Sequence, residues 1–280
     1  MLNETKRTRF ALYVGIVVLV FWALVPYLWM FRASVLESFA AINPSTPIIP
    51  VDPADFSIAA YLEIWEQYSF PLYFKNSIIV AVAATTISTT VSIPGAYAFA
   101  RLDFPGRKLL FYTAVFTVMF PWIVLTIPVY EVFHWFDLIN TLTAVIIALS
   151  IFTLPQTLWL LQGFFRQGIP QGIEEAALLD GCSELTAFFR IVLPLSLPAV
   201  AAAAMFAFIT SWNNFLWVFI LTNDEQYRTA TVAIHYILGS DIVQQWNLLM
   251  AGVTLLVVPP VVFYGLSQRY VGEGLGGGLA

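Results

Sequence analysis

Residues 175–181 carry the sequence Glu-Ala-Ala-Leu-Leu-Asp-Gly, and residues 191–194 carry Ile-Val-Leu-Pro. This stretch lies in a charged interval between two strongly apolar segments. Charge is rare elsewhere, because 60% of the 280 residues are hydrophobic and only 10% are charged, whereas about a quarter of a soluble protein is charged. Most of the chain is therefore suited to lipid, and the charged interval is expected outside the bilayer.

Local signals within this stretch predict two short helices joined by a glycine turn. Glu174 and Glu175 fall in the first turn of a helix, where carboxylates offset the positive end of the helix dipole. Gly181 stands where a left-handed turn would end that helix, and Ser183 can cap the next one. The residues that follow share one apolar helical face by their spacing: Leu185, Phe188, Phe189 and Val192. A rigid projection at the membrane surface is the expected result.

Six charge-free runs predict six membrane-spanning helices. The first run would reach about 33 Å as a helix, enough to cross a hydrocarbon core of about 30 Å, and it is too long for a typical signal peptide. The predicted spans are 10–31, 76–100, 109–130, 138–165, 191–223 and 246–268. Two of them are longer than a bilayer requires, so tilts or bends are expected. The predicted fold is an all-α integral membrane protein with one transmembrane domain over residues 1–280.

Basic residues predict the orientation of these spans. With the N-terminus inside, nine of the twelve Lys and Arg residues flank cytoplasmic ends: Lys6, Arg7, Arg9, Arg101, Arg107, Lys108, Arg166, Arg190 and Arg269. The other three flank external ends: Arg32, Lys75 and Arg228. Because cytoplasmic loops carry the excess of Lys and Arg, both termini are expected in the cytoplasm.

The motif and its spacing resemble a known family over nearly the full length of the chain. Glu-Ala-Ala, three residues, Gly, nine residues and Ile-x-Leu-Pro is the pattern of the coupling loop in permeases of binding-protein-dependent ABC importers. With the six-span plan and the supporting motifs, the chain resembles the shorter permease of maltose-type carbohydrate importers, and the pair Asp180-Gly181 favours this sugar branch over amino-acid or phosphate importers. Cys182 departs from the family, which usually has alanine there. Supporting motifs are Phe-Lys-Asn-Ser at 74–77, Ala-Phe-Ala-Arg-Leu-Asp-Phe-Pro-Gly at 98–106 and Ser-Trp-Asn-Asn-Phe at 211–215.

The resemblance implies a type I ABC importer permease fold with cytoplasmic coupling helices, here within residues 170–194, the coupling segment. It implies a multi-pass subunit of the cytoplasmic (inner) membrane that moves a di- or oligosaccharide by alternating access. The implied partners are a second, different permease, a homodimer of ATPase subunits, an extracytoplasmic sugar-binding protein and the lipid bilayer. The residues implied in coupling to the ATPase are Glu175, Ala176, Ala177, Asp180, Gly181, Ile191, Leu193 and Pro194.

The chain itself offers no sign of catalysis. It has no Gly-x-x-x-x-Gly-Lys-[Ser/Thr] phosphate loop, so ATP and Mg²⁺ are expected on partner subunits, with no cofactor here. One cysteine and two distant histidines, His134 and His235, do not make a metal site. We therefore expect a transport subunit without catalytic residues, metal ligands or a nucleic-acid partner.

Polar groups inside the predicted spans are candidates for a substrate pathway. Trp212, Asn213, Asn214 and Trp217 form the best cluster, because amides bond hydroxyls and indole faces stack on sugars. Gln156 is a second candidate, on a helical face that it shares with Trp159 and Gln162. Amide bonds between helices are the alternative role for the first cluster. The hydroxyl residues of the second span favour close helix packing instead: Thr85, Thr86, Ser88, Thr89, Thr90 and Ser92.

The external segment 224–245 is a candidate docking region for a sugar-binding protein, since the resemblance implies that a loop enters the sugar cleft there. The residues with suitable polar and aromatic groups are Glu225, Tyr227, His235, Tyr236 and Asp241. A solvated connector is the alternative interpretation of this segment.

Other functions are less consistent with the sequence. An ion-coupled secondary transporter often has an ionisable residue in mid-membrane, and these spans are nearly devoid of them. A membrane-embedded enzyme would need a nucleophile and base, carboxylates or a metal set within the bilayer. A subunit that only assembles the complex is disfavoured by the coupling motif. An ABC permease for a non-sugar solute such as glycerol phosphate stays open.

Overall fold

The structure is a computed structural model that describes residues 6–37, 56–237 and 245–276. Every regular element in those ranges is helical, so the predicted all-α architecture is confirmed. The α-helices are α1 (Lys6–Ser34), α2 (Ala59–Gln67), α3 (Phe70–Arg101), α4 (Arg107–Phe116), α5 (Thr126–Trp135), α6 (Leu142–Gln167), α7 (Gln171–Leu179), α8 (Glu184–Ala187), α9 (Leu193–Leu195), α10 (Leu197–Trp212), α11 (Leu216–Leu221), α12 (Ala230–Ile237) and α13 (Trp246–Gly276). Shorter turns are 3₁₀ at Thr117–Met119, Trp122–Leu125 and Glu225–Tyr227, and a π-helical turn at Phe188–Val192.

Four of these helices are long and apolar enough to cross a membrane: α1 from Ala11, α3, α6 and α13 up to Gln268. Two bent pairs of helices raise the number of candidate spans in the described ranges to six, which is the predicted number. The pair Arg107–Met119 and Trp122–Trp135 bends by 97°, and the pair Glu184–Leu195 and Leu197–Trp212 bends by 71°. The third and fifth predicted spans, 109–130 and 191–223, are therefore broken helices rather than straight ones.

Proline accounts for both breaks. Pro121 is extended at ψ 120°, and it cannot supply an amide hydrogen to continue the helix before it. Pro198 likewise leaves the carbonyl of Pro194 without its helical donor, and the chain bends at Ser196 between them. Farther on, the fifth predicted span stops at Trp212 and restarts as α11, so its last third is a separate short helix.

The chain divides into two compact units, residues 1–70 with 234–257 and residues 71–233 with 258–280. In the first unit, the end of α1 is fixed where Ala33 and Leu36 pack against Trp246 and Met250. The hydroxyls of Ser34 and Tyr61 lie 2.6 Å apart and add a hydrogen bond between α1 and α2. The apolar remainder of α1 is exposed on all sides, which suits a helix surrounded by lipid or by another protein.

In the second unit, α6 packs against α3 and α10, and two apolar clusters lie at different levels along it. The first cluster contains Trp217, which is 0% exposed and stacks on Phe152 at a ring separation of 4.5 Å. The second cluster lies near the coupling segment and includes Leu161, Phe165 and Phe188. The two clusters hold the spans together at both levels.

Small polar residues let α3 and α6 approach between these clusters. Ser92 and Thr157 are fully buried, and their hydroxyl oxygens lie 2.7 Å apart. Ser88 is also fully buried, while Thr86 and Thr90 are exposed. The interpretation of the second-span hydroxyls as packing residues agrees with the burial of Thr85, Ser88, Thr89 and Ser92. Ser92 bonds to α6 and Ser88 bonds to its own turn, whereas the hydroxyls of Thr85 and Thr89 have no hydrogen-bond partner in the described ranges.

Trp217→Ala is expected to lower the free energy of unfolding by about 3–5 kcal/mol, because it opens a cavity beside Phe152 in a core with no exposure. Trp135→Ala is the matched control, since the Trp135 side chain is 78% exposed. The measurement is thermal denaturation of the purified membrane protein. Equal losses of stability in the two variants would contradict this assignment of the core.

Candidate functional site

The coupling segment begins with α7, which ends in a glycine turn as predicted. Gly181 has a φ of +87°, a left-handed conformation that residues with a Cβ rarely adopt. Its N–H donates to the carbonyl of Leu178 at 3.0 Å, and the N–H of Cys182 donates to Ala177 at 3.0 Å. These two bonds satisfy carbonyls at the end of the helix in the Schellman arrangement. The turn fixes the direction in which the chain leaves α7.

The next helix starts as predicted but does not present the predicted face. Ser183 accepts a hydrogen bond from the N–H of Thr186 at 3.3 Å, which confirms it as the cap of α8. Phe188 and Val192 are buried, but Leu185 is 71% exposed and Phe189 is 61% exposed. The expectation of one shared apolar face was wrong, because the π-helical turn at Phe188–Val192 adds a residue to the turn and rotates the side chains.

A buried ion pair connects α7 to the end of α3. Nε of Arg101 lies 3.0 Å from Oε1 of Glu174, and their side chains are 5% and 16% exposed. Arg101 also donates to the carbonyl of Ile169, and the hydroxyl of Tyr97 donates to Oε2 of Glu174 at 3.3 Å. Sequence reasoning gave Glu174 only a helix-dipole role and missed this pair. The available signal was an acidic and a basic residue at the same predicted membrane surface.

Aromatic packing reinforces the same connection. The Tyr97 ring meets Phe165 edge-on at 5.8 Å and lies 4.6 Å from the Phe188 ring. These contacts connect α3 with α6 and with the π-helical turn of the coupling segment. The coupling segment is therefore held at both of its short helices to the ends of two spans.

The outward surface of the coupling segment combines apolar and acidic groups. Leu179 is 88% exposed and Leu178 is 44% exposed, while Ala177 is buried at 5%. The other predicted coupling residues are exposed or half-buried: Glu175, Ala176, Asp180, Gly181, Ile191, Leu193 and Pro194. Exposed leucines beside carboxylates are suited to contact with another protein rather than with lipid tails.

The predicted pathway cluster is mostly interior in this conformation. Trp212 is 2% exposed and meets Phe74 edge-on at 5.7 Å. The side-chain oxygen of Asn214 accepts from the N–H of Trp217 at 3.0 Å, so Asn214 caps the first turn of α11. Asn213 alone in this cluster has an exposed side chain. Gln156 lies apart from the cluster, half-buried on α6, and its Oε1 has no hydrogen-bond partner in the described ranges.

The described residues of the predicted docking region, 224–237, contain a 3₁₀ turn and α12. Glu225 starts a 3₁₀ turn and accepts a hydrogen bond from the hydroxyl of Tyr73. Tyr227 is half-buried at the end of that turn. His235 and Tyr236 lie in α12, both exposed, with their rings 5.7 Å apart. Asp241 lies outside the described residues.

Two asparagine side chains anchor this region, and sequence reasoning did not identify either as an anchor. Nδ2 of Asn76 donates to the carbonyls of Gln226 and Arg228, both at 2.9 Å. Oδ1 of Asn140 accepts from the N–H groups of Asn223 at 3.0 Å and Asp224 at 2.8 Å, and its Nδ2 donates to the Asp224 carboxylate at 2.7 Å. The motif Phe-Lys-Asn-Ser at 74–77 thus has a physical role, since it supplies Asn76.

These features define a multi-pass helical membrane protein with a rigid segment projecting from its spans, which is the architecture of an importer permease. Residues 92–276 match the family model for the inner membrane component of binding-protein-dependent transport systems. The chain belongs to this family. It is therefore a transport subunit, and the predicted class of protein is confirmed.

Named relatives and a solved structure agree with this assignment. The trehalose/maltose permease protein MalG of Thermococcus litoralis is 31% identical over 279 residues, covering 99% of this chain and 98% of the relative. The trehalose permease protein SugB of Mycobacterium tuberculosis is 33% identical over 258 residues, covering 92% of each chain. A crystal structure of a bacterial ABC transporter that imports alginate aligns at a TM-score of 0.77 and 21% identity, covering 96% of this chain and 99% of that chain. The likeness confirms the predicted permease fold.

Glu174→Gln is expected to destabilise the protein by about 3–5 kcal/mol, because it leaves the Arg101 cation buried without its counter-charge. Glu175→Gln removes an exposed carboxylate one residue away and should cost less than about 0.5 kcal/mol. Replacing both Arg101 and Glu174 by Met should recover part of the loss, since no unpaired charge remains. Thermal denaturation of the purified complex measures these three variants and the single changes Arg101→Met and Glu174→Met. Additive losses in the double variant would contradict the pairing.

Proposed function

We propose that this chain is the membrane-spanning permease of an ATP-driven, binding-protein-dependent carbohydrate importer. Both termini lie in the cytoplasm, and a di- or oligosaccharide crosses by alternating access. Relatives named for transport of trehalose/maltose, diacetylchitobiose and arabinooligosaccharides support a carbohydrate substrate. The observation that carries the proposal is the coupling segment itself, which combines an exposed apolar surface with a buried ion pair to a span.

The proposed complex contains a second, different permease, a homodimer of ATPase subunits and an extracytoplasmic sugar-binding protein. ATP and Mg²⁺ bind to the ATPase subunits, and this chain has no cofactor of its own. The exposed Leu178 and Leu179, with Glu175 and Asp180 beside them, form the surface that the ATPase contacts. Gly181 contributes through its backbone, because its left-handed turn sets the angle of that surface.

Motion of the ATPase is transmitted to the spans through contacts that are costly to break. Displacement of α7 pulls on α3 through the pair Glu174–Arg101, whose charges would be left unpaired in a poorly solvated site if they separated. Phe188 carries the same displacement to α3 through Tyr97. Ile191, Leu193 and Pro194 continue from this turn to the bend of 71° between Leu195 and Leu197, where the direction of the helix changes. Motion at the coupling segment is thus passed to the spans.

For the pathway we retain Asn213 as the residue that contacts sugar hydroxyls, since its side chain is exposed at the break between α10 and α11. Three buried residues stabilise this break. Trp212 and Trp217 pack against aromatic rings, and Asn214 caps the first turn of α11. Gln156 opens onto an apolar groove elsewhere on α6 and is not assigned to sugar binding.

For docking of the sugar-binding protein we propose the surface around the 3₁₀ turn at Glu225–Tyr227. The exposed His235 and Tyr236 remain separate docking candidates. The supporting observation is that the Asn76 side chain donates two hydrogen bonds to backbone carbonyls and the Asn140 side chain accepts two from backbone N–H groups, which hold this turn in one conformation. A preorganised surface loses less entropy on binding than a flexible loop.

ATP hydrolysis in liposomes tests the function directly. The complex of this chain with its co-purifying partners is expected to hydrolyse ATP faster when the binding protein and a cognate sugar are added, with trehalose, maltose, diacetylchitobiose and arabinooligosaccharides as the panel. Glu175→Lys should abolish stimulation, because it reverses the charge on the proposed ATPase-contact surface. ATP-independent sugar flux through this chain alone would instead establish a secondary transporter, and stimulation by glycerol phosphate alone would establish a non-sugar permease.

Asn140→Gly tests the docking surface without backbone strain, because Asn140 has a φ of +64° that glycine tolerates. The change removes three side-chain hydrogen bonds to Asn223 and Asp224. We expect the concentration of binding protein needed for half-maximal stimulation to rise about tenfold or more, with ATPase activity in its absence unchanged. Asp137→Gly is the matched control, because Asp137 is exposed and has a φ of +54° that glycine also tolerates, and it should leave that concentration unchanged. An unaltered response of Asn140→Gly would refute the role of this turn in docking.

A further inference from the structure

Basic residues gather in one pocket at the end of the spans that bears the coupling segment. The pocket has a volume of about 410 Å³ and lies between the start of α4 and the end of α6. Its lining includes Arg107 and Lys108 from α4 and Arg166 from α6, three of the twelve Lys and Arg residues of the chain. Tyr112 and Trp159 line its walls, and no carboxylate from the described residues lines it. The pocket is therefore strongly positive.

The charges of this pocket are only weakly compensated. Nη1 of Arg107 lies 2.7 Å from Oδ1 of Asp103, but Asp103 is 94% exposed, so water screens that pair. Lys108 and Arg166 have no hydrogen bond or ion pair with any residue in the described ranges 6–37, 56–237 and 245–276. Two cations that line one pocket without a counter-ion favour an anionic ligand.

An apolar groove continues from this pocket along the same two helices. It has a volume of about 320 Å³ and is lined by Val115, Val118, Met119, Leu160 and Phe206. Trp159 lines both the pocket and the groove, so the two are adjacent. Apart from the amide of Gln156, the groove has no polar side chain. A charged pocket at the helix ends and an apolar groove toward the middle of the spans match the two parts of a phospholipid.

We propose that the pocket binds the headgroup of an anionic phospholipid and that the groove holds one of its acyl chains. Basic pockets between helices at the cytoplasmic surface favour anionic headgroups, and aromatic residues such as Tyr112 and Trp159 are typical of the membrane interface. A zwitterionic lipid would bring its own cation next to Lys108 and Arg166. Free phosphate would leave the apolar groove unfilled. The site goes beyond sugar transport and would stand whatever solute the complex carries.

Lipid retention by the assembled complex tests this site. The complex is reconstituted into nanodiscs of phosphatidylcholine with graded phosphatidylglycerol, and bound lipid is counted by native mass spectrometry. Lys108→Gln with Arg166→Gln should weaken phosphatidylglycerol retention about thirtyfold, because each cation contributes about 1 kcal/mol at a membrane surface and 1.4 kcal/mol is a factor of ten. Arg190→Gln removes an exposed cation of the same surface that does not line the pocket, so retention should not change.

Val118→Phe separates a lipid from a free anion, because it fills the groove and leaves every charge in place. We expect it to reduce phosphatidylglycerol retention while inorganic phosphate at millimolar concentration fails to displace the lipid. If the double charge variant does not assemble, Val118→Phe and Lys108→Gln alone carry the test. Unchanged retention in these variants, or displacement by inorganic phosphate, would overturn the proposal. If these variants lose the second permease while each complex keeps the same amount of lipid, the surface is a contact between subunits. That outcome would also overturn the proposal.

Discussion

The buried ion pair between Arg101 and Glu174 positions the coupling segment against the end of α3. It joins a span to the coupling segment across 73 positions of sequence, and both charges lie where water has little access. Because either charge would be costly if left alone there, separation of the two elements is disfavoured. Beside the ion pair, Tyr97 donates to the Glu174 carboxylate and Arg101 donates to the carbonyl of Ile169, so each member has one further partner. The ion pair therefore restrains the position of the coupling segment relative to α3.

Polar side chains also anchor a segment at the other end of the spans. Nδ2 of Asn76 donates to two backbone carbonyls, and the Asn140 amide accepts two hydrogen bonds and donates one, which together hold the turn at Glu225. Between the two ends, Ser92 and Thr157 bond across α3 and α6 next to the apolar residues Ala96 and Leu158. The chain thus places small groups of paired or hydrogen-bonded polar side chains at three levels along the spans. Aromatic and aliphatic clusters pack around them. At each level, the directional hydrogen bonds fix the register of the neighbouring segments, which apolar packing alone would not specify.

The sequence predicted those features that depend on neighbouring residues. Gly181 and Ser183 act as turn and cap because their signals lie within four positions of the backbone groups they serve. The pair Arg101–Glu174 depends on the packing of distant segments, and neither residue identifies its partner in a single sequence. The π-helical turn has no comparable local signature, so the faces of Leu185 and Phe189 were misassigned. Trp217 illustrates a further limit, because a tryptophan near asparagines is equally consistent with a sugar platform and a buried core ring.

Cys182 has a consequence for how this protein can be followed in motion. It is the single cysteine of the chain, and its N–H closes the turn that ends α7. The thiol is partly accessible, so a fluorophore or spin label can be attached to the native sequence without first building a cysteine-free background. A label there would report displacement of α7 relative to a second probe on the ATPase during turnover. Thiol-reactive reagents used in purification would modify this same turn.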